Sequence, residues 1–246
     1  MKTLVVLPVY NEEIILENNT LRLFDFLKNN LADDWQIVIA DNGSIDGTAA
    51  IGKTLAARHP KKISYFYIPE KGRGGALRKT WLAYPADFYT FMDADLATDL
   101  AHFPEMVREL KNGNDVVVGS RLAQKSSVDR SFFRELTSRI FNLLRKVLLD
   151  LKIKDSQCGF KGATKAVTTK ILPLVKNTQW FFDTEFLFLA QKNNFKIKEI
   201  PVRWQEAPNK KRRSLISVFK FSSDNIFKIS FHYLKELWRL KNYDRN

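Results

Sequence analysis

The stretch "FYTFMDADLATD" (residues 88–99) runs an apolar, strand-like approach straight into three acids, Asp93, Asp95 and Asp99. Such an approach reads as a buried β-strand, and carboxylates at its exit need a cation or solvent to meet them. Comparable runs occur at "TLVVLPV" (3–9), "QIVIAD" (36–41), "ISYFYI" (63–68) and "DVVVGS" (115–120), separated by segments with helical spacing. That alternation predicts an α/β fold, a mostly parallel central sheet flanked by helices. After about residue 125 the order loosens into a polar, basic segment, a Cys-Gly turn, an aromatic helix near 181–193, a strand near 196–203 and a long basic end. No repeat, low-complexity tract or Gly/Ser linker interrupts the sequence. The expected organisation is a main domain over 1–213 with a C-terminal basic amphipathic helix over 214–246.

With 246 residues and 45% hydrophobic content the chain can bury a sizeable core. Cys158 is its one cysteine, so an internal disulfide is impossible and a cytoplasmic setting is expected. The first apolar run is broken by Pro8, Asn11, Glu12 and Glu13 where a secretory signal would continue. No run reaches the roughly 18–20 apolar residues that a membrane-spanning helix needs, so the chain is not expected to cross a bilayer by itself. An excess of 40 Lys+Arg over 27 Asp+Glu, net +13, predicts attraction to an anion: nucleic acid, lipid headgroups or a phosphorylated small molecule.

Open parallel sheets bind ligands beyond the carboxyl ends of their strands, and four such ends carry polar clusters: "PVYNEE", "ADNGSIDGT", "DAD" and "GSR". In "DNGSIDGT", Gly43 and Gly47 permit a turn while Ser44 or Asp46 caps a helix. Asp41, at the strand exit, can accept the N–H of a nucleobase. "EKGRGGALRK" (70–79) sets glycines and cations before a helix, as a phosphate-facing loop does, without the spacing of a P-loop.

In an extended chain Asp93 and Asp95 project to one side about 6–7 Å apart. At an effective dielectric near 20 they repel by about 2.5 kcal/mol. A divalent cation relieves that repulsion, and oxygen ligands in an open site suit Mg²⁺ or Mn²⁺, which in turn holds a diphosphate. The other reading is a solvated acidic turn with Asp95 or Thr98 capping a helix. Arg78 and Arg121 favour the diphosphate.

In order and spacing, "PVYNE", "DNGSIDGT", "KGRGGALR", "DAD", "GSR", "QCGFKG" and "FFDTE" resemble the family 2 glycosyltransferases, in the branch of the polyprenyl-phosphate sugar synthases. "DADLAT", "DSQCGFK" and "VRWQE" followed by Ser214-Leu215 look most like the dolichyl-phosphate glucosyltransferases. The resemblance implies a GT-A (Rossmann-like) fold and an inverting, metal-dependent hexosyltransferase. The implied donor is a nucleotide-diphosphate sugar, UDP-glucose favoured, and the implied acceptor a polyprenyl (dolichyl or undecaprenyl) monophosphate. It places Pro8, Tyr10, Glu12, Asp41, Gly74, Arg78, Asp93 and Asp95 on the nucleotide sugar, with Asp93 and Asp95 also on Mg²⁺ or Mn²⁺. Arg121 and Asp183 take catalytic positions, and Gln157 and Ser214 meet the acceptor, with Glu185 in the same wall as Asp183; apart from the resemblance, a phosphate acceptor needs cations, which Arg134, Arg139 and the 210–213 cluster supply unless they form a solvated basic face. Asn42 departs from the family, which commonly has a second aspartate there. "NKKRRS" (209–214) replaces a shorter glycine-containing turn.

A phosphate acceptor needs no general base, because a phosphate monoester is already mostly dianionic near neutrality. A sugar-hydroxyl acceptor, as in cell-surface polysaccharide assembly, would make Asp183 the base. A non-enzymatic nucleic-acid binder would leave the acids at the strand ends unexplained, so no nucleic-acid partner is expected. Residues 215–241 contain neither proline nor glycine. On a helical wheel Ile216, Phe219, Ile226, Phe227, Leu234, Leu237 and Trp238 share an apolar arc opposite Lys228, His232, Lys235 and Arg239. That helix either packs on the sheet or lies in a membrane interface, holding the protein peripherally on a cytoplasmic membrane face. On the second reading, removal of 224–246 spares the donor chemistry.

Overall fold

The computed structural model describes residues 1–123, 126–129, 145–205 and 233–243. Its elements run β1 (Lys2–Val9), α1 (Leu16–Asn30), β2 (Asp34–Asp41), α2 (Thr48–Arg58), β3 (Ile63–Tyr67), α3 (Arg73–Ala83), β4 (Phe88–Met92), α4 (Phe103–Lys111) and β5 (Val116–Ser120). They continue with β6 (Ser127–Asp129), β7 (Phe160–Thr164), α5 (Lys165–Ile171), α6 (Phe182–Lys192), β8 (Ile197–Pro201) and β9 (Arg203–Gln205). Seven strands form one sheet in the order β3-β2-β1-β4-β7-β5-β8, and β6 pairs with β9 apart from it. All neighbours in the large sheet are parallel except β7, which runs antiparallel to β4 and to β5.

Strand periodicity explains the layers. In β1, Leu4 and Val6 face one core while Val5, Leu7 and Val9 face the other. The first core is closed by Ala76, Leu77 and Trp81 of α3, Val167 and Ile171 of α5, and the almost wholly buried α6. The second is closed by Leu16, Leu23 and Leu27 of α1, Leu55 of α2, and Phe103, Met106, Val107 and Leu110 of α4. In α1 and α4 the buried residues recur at spacings of three and four, so a single stripe meets the sheet.

The carboxyl ends of β1, β2, β4 and β5 converge on one edge. β7 enters between β4 and β5 from that same edge, since Phe160 pairs with Met92. Its sequence, "FKGAT", has neither a period-two pattern nor a β-branched run, and the Cys-Gly pair before it reads only as a turn.

Within 214–246 the described part is 233–243, helical from 233 to 241. The wheel needs correction there. Tyr233, Leu237 and Leu240 are buried in the α6 core, whereas Leu234 and Trp238 are 45% and 70% exposed. Arg239, expected opposite the apolar arc, leans inward to Glu185. Removal of 224–246 would therefore take Tyr233, Leu237 and Leu240 out of that core. Ile216, Phe219, Ile226, Phe227, Lys228 and His232 lie outside the described residues. Among the described residues no helix is long and apolar enough to cross a membrane.

Candidate active site

The turns after β1 and β2 are knitted together. The Asn11 N–H donates to Ser44 Oγ, the Ile45 N–H to Asn11 Oδ1, the Glu12 N–H to Thr48 Oγ1 and the Gly47 N–H to Glu13 Oε2, all at 2.7–2.9 Å. Pro8, Tyr10, Glu12 and Asp41 are thereby brought to one place. Pro8 lies beyond Val6, the last β1 residue paired with β4, so its missing N–H weakens no bond of that ladder. Lys71 sits 3.9 Å over the Tyr10 ring. Asp41 is wholly buried, and its carboxylate accepts the Ser44 N–H (2.9 Å) and the Tyr65 hydroxyl (2.7 Å). Burial, and then the hydrogen bond to Asp41, push the Tyr65 phenol well above its usual range, so it stays a donor.

Asn42 explains its own departure from the family pattern. Its amide nitrogen donates to the Val9 carbonyl (2.6 Å) and its amide oxygen accepts the Gly72 N–H (3.2 Å). It is a strut between β1 and the glycine loop. An aspartate could not donate to Val9.

After β4 the chain turns on the Asp93 carbonyl, which accepts the Leu96 N–H at 3.0 Å. Leu96 takes φ +50°, an uncommon conformation for a leucine. The Asp93 N–H donates to the Gly159 carbonyl (3.0 Å), and a Cβ on Gly159 would fall 1.9 Å from Asp93 Oδ2. Only glycine leaves that seat open. Asp95 Oδ1 accepts the Ala97 N–H at 3.2 Å. Asp99, the third acid, is structural: it accepts the Ala101 N–H at a helical turn (2.9 Å) and pairs with Arg203 at 2.8 Å.

Sequence reasoning missed the cations that meet these acids. Arg73, the first residue of α3, bridges two carboxylates, Nη2 to Asp93 at 3.1 Å and Nη1 to Asp183 at 2.5 Å. Lys161 of β7, 1% exposed, donates to Asp183 Oδ1 at 2.8 Å and to the Cys158 carbonyl. Burial alone would raise the Asp183 pKa, but the Arg73 and Lys161 charges outweigh it and hold the carboxyl below its ordinary range. Arg78 takes no part in this cluster. Once β7 is placed, a lysine within a buried strand demands an acid partner, but the sequence carries no signal of that strand. Gly74, expected at the donor, packs closely on α6, since a Cβ there would lie 2.4 Å from Phe182 Cβ.

Arg121 is held by a two-pronged pair with buried Asp155, Nε at 2.7 Å and Nη2 at 2.9 Å, leaving Nη1 outside the fork. Burial would raise the Asp155 pKa, yet the Arg121 hydrogen bond and charge carry it below the usual range. Cys158 lies beneath, its thiol pushed up to about 12 by burial and then by the Asp155 charge. Gln157 donates through Nε2 to the Tyr233 hydroxyl at 3.2 Å, which also lies 3.1 Å from Thr184 Oγ1. Glu185 does not face the site: it accepts the Asn177 N–H (2.8 Å) and pairs with Arg239 (2.8 Å). Arg134, Arg139 and Ser214 lie outside the described residues.

Asp93 and Asp95 fit a divalent cation of the Mg²⁺ or Mn²⁺ kind. Both are partly exposed at the strand exit. Among the described residues no cluster of three or more acidic, His or Cys side chains could hold a metal. Mg²⁺ characteristically takes one or two carboxylates and completes its shell with water and phosphate.

A mostly parallel sheet with an acid pair at the exit of a central strand, on the same edge as the paired turns after β1 and β2, is the architecture of a GT-A glycosyltransferase. The chain belongs to the family described as glycosyl transferase family 2, which matches residues 4–172. It is 36% identical to glycosyltransferase AglD of Haloferax volcanii over 82% of this chain and 32% of that protein, and so spans about a third of that relative's length. It is 33% identical to the dolichyl-phosphate beta-glucosyltransferase of Dictyostelium discoideum over 97% of this chain and 76% of that one. Against the human dolichyl-phosphate beta-glucosyltransferase the identity is 30%, over 96% of this chain and 77% of the other. The fold is shared with glucosyl-3-phosphoglycerate synthase of Mycobacterium tuberculosis in complex with UDP, at a TM-score of 0.62 and 20% identity, covering 83% of this chain and 71% of that one. That synthase has also been crystallised with Mg²⁺ and UDP (TM-score 0.60, 18% identity, 85% and 73% covered).

Proposed function

We propose that this glycosyltransferase moves a hexose, glucose favoured, from a UDP-sugar to a polyprenyl monophosphate with inversion at the anomeric carbon. The observation that carries the choice of acceptor is the clamp on Asp183. A carboxylate gripped by Arg73 and Lys161 and held below its ordinary pKa is a poor proton acceptor. A hydroxyl acceptor needs a base there, whereas a phosphate monoester, with a second pKa of about 6, attacks unaided. Asp183 then acts by orienting Arg73 and Lys161.

Pro8, Tyr10, Glu12 and Asp41 form the nucleoside side of the site. A Mg²⁺ or Mn²⁺ ion held by Asp93 and Asp95 supplies charge against the leaving diphosphate when bound. Arg121, fixed by Asp155, offers Nη1 to the same phosphates. Arg134, Arg139, Gln157 and Ser214 are assigned to the acceptor. The donor side of the site lies within residues 1–213, and Tyr233, Leu237 and Leu240 complete the same core. The exposed Leu234 and Trp238, flanked by exposed Lys235 and Lys241, suit peripheral contact with the cytoplasmic face of a membrane.

The test is a transfer assay with UDP- and GDP-sugars, Mg²⁺ or Mn²⁺, and either a short polyprenyl phosphate or a sugar acceptor. The expected product is a β-linked prenyl-phosphate glucose formed from UDP-glucose, with no rate limb that follows deprotonation of a carboxylate. Transfer to a sugar hydroxyl and none to the phosphate would refute the proposal.

A further inference from the structure

Arg73 makes two unequal contacts. Its backbone is fixed, because a Cβ at Gly72 would lie 2.5 Å from the Thr178 carbonyl oxygen and the Gly75 N–H donates to that same carbonyl at 2.8 Å. Its guanidinium lies between Phe91 and Trp180, 4.9 and 5.3 Å from the ring centres. The Asp183 side chain, 3% exposed, holds Nη1 at 2.5 Å, while the Asp93 side chain, 35% exposed, holds Nη2 at 3.1 Å. Nε is buried with no partner. Arg73 is therefore anchored on Asp183, and the Asp93 contact is the wetter and more easily exchanged of the two.

We propose that Arg73 is a resident counter-cation of the metal site. It neutralises Asp93 when no metal is bound and yields that oxygen only when the nucleotide diphosphate arrives, so divalent cation and nucleotide load together. The proposal rests on reading Asp93 and Asp95 as the ligands. Two cations sharing one carboxylate repel, which weakens binding of the metal alone. The diphosphate reverses the balance, since it gives Nη2 and the unpaired Nε an anion to bind in exchange for Asp93. The Asp93 backbone is held by the Gly159 carbonyl and its carboxylate lies against Gly159, contacts that do not involve Arg73.

The experiment measures Mn²⁺ binding by electron paramagnetic resonance, with and without UDP. Wild-type protein should bind Mn²⁺ in the presence of UDP, and Asp95→Asn should lose that binding. Failure of this pair of controls removes the ligand assignment itself. With the controls met, Arg73→Gln should bind Mn²⁺ alone about tenfold more tightly than wild type, as expected for removal of a like charge one carboxylate away, and should gain less from UDP. Arg73→Lys, which keeps the charge, should stay closer to wild type. General loosening of the fold would weaken binding, so the expected sign separates competition from damage. Unchanged or weaker affinity for Mn²⁺ alone in folded Arg73→Gln overturns the proposal. If that variant does not fold, Asp183→Asn leaves Arg73 with Asp93 as its acid partner and should weaken binding of Mn²⁺ alone more than binding in the presence of UDP; an equal loss in both, as damage would give, or no loss overturns it equally.

Discussion

Asp183 keeps its charge inside an aromatic layer because two cations reach it from different elements, Arg73 from the start of α3 and Lys161 from the second residue of β7. Taking away one partner of such a buried set leaves an uncompensated charge. Lys161→Met should therefore destabilise the fold by about 3–5 kcal/mol, seen as a lower denaturant midpoint at pH 7. The same clamp predicts an acid limb. A carboxyl with a depressed folded pKa stabilises the protein above its unfolded value, about 3.9, and loses that contribution as pH falls through the folded value. Asp183 and Asp155 both have this sign. Thermal stability should fall steeply below about pH 4, and Asp183→Asn should make that limb shallower. At the strand exit, Asp95→Asn removes a full ligand charge at almost constant volume. It should abolish transfer while leaving the circular dichroism spectrum unchanged, and near-wild-type activity would contradict the metal assignment.

At the scale of elements, legibility followed periodicity. The parallel strands and the aromatic helix were readable because long apolar runs and three-and-four spacings survive in the sequence. β7 was not, since five residues with a central glycine and a lysine carry no period. The glycine loop is legible, but the contact of Arg73 with Asp93 and Asp183 is not, because it depends on where α3 begins. Long-range tethers were illegible for the same reason: the turn that carries the glycine loop is set from the other end of the chain. Arg239 holds Glu185, Glu185 holds the Asn177 N–H, Asn177 Oδ1 holds the Gln179 N–H, and Gln179 Nε2 donates to the Lys71 carbonyl at 3.0 Å. Loosening the first link should move the last. Arg239→Ala is expected to raise KM for the nucleotide sugar several-fold with a smaller change in kcat, and Arg239→Lys to restore much of the loss. Equal effects on both parameters, or none, would mean that the chain of contacts does not transmit.

On the scale of the whole molecule, the C-terminal segment serves two surfaces at once. Its inner side supplies Tyr233, Leu237 and Leu240 to the core, and the Tyr233 hydroxyl closes a polar chain with Gln157 and Thr184 behind the site. Its outer side leaves Leu234 and Trp238 in solvent, one helical turn apart, beside Lys235. An apolar pair with nearby cations suits an anionic bilayer surface, where each cation contributes about 1 kcal/mol and salt screens the effect. Deleting 233–246 cannot test this contact, because it would open the core as well. The double substitution Leu234→Ser with Trp238→Ser can, since both side chains already face water. It should leave thermal stability and donor hydrolysis near wild type, lower co-sedimentation with vesicles rich in anionic lipid, and slow transfer to a prenyl phosphate embedded in those vesicles more than to a short soluble analogue. Undiminished vesicle binding by that variant would place the membrane contact elsewhere on the chain.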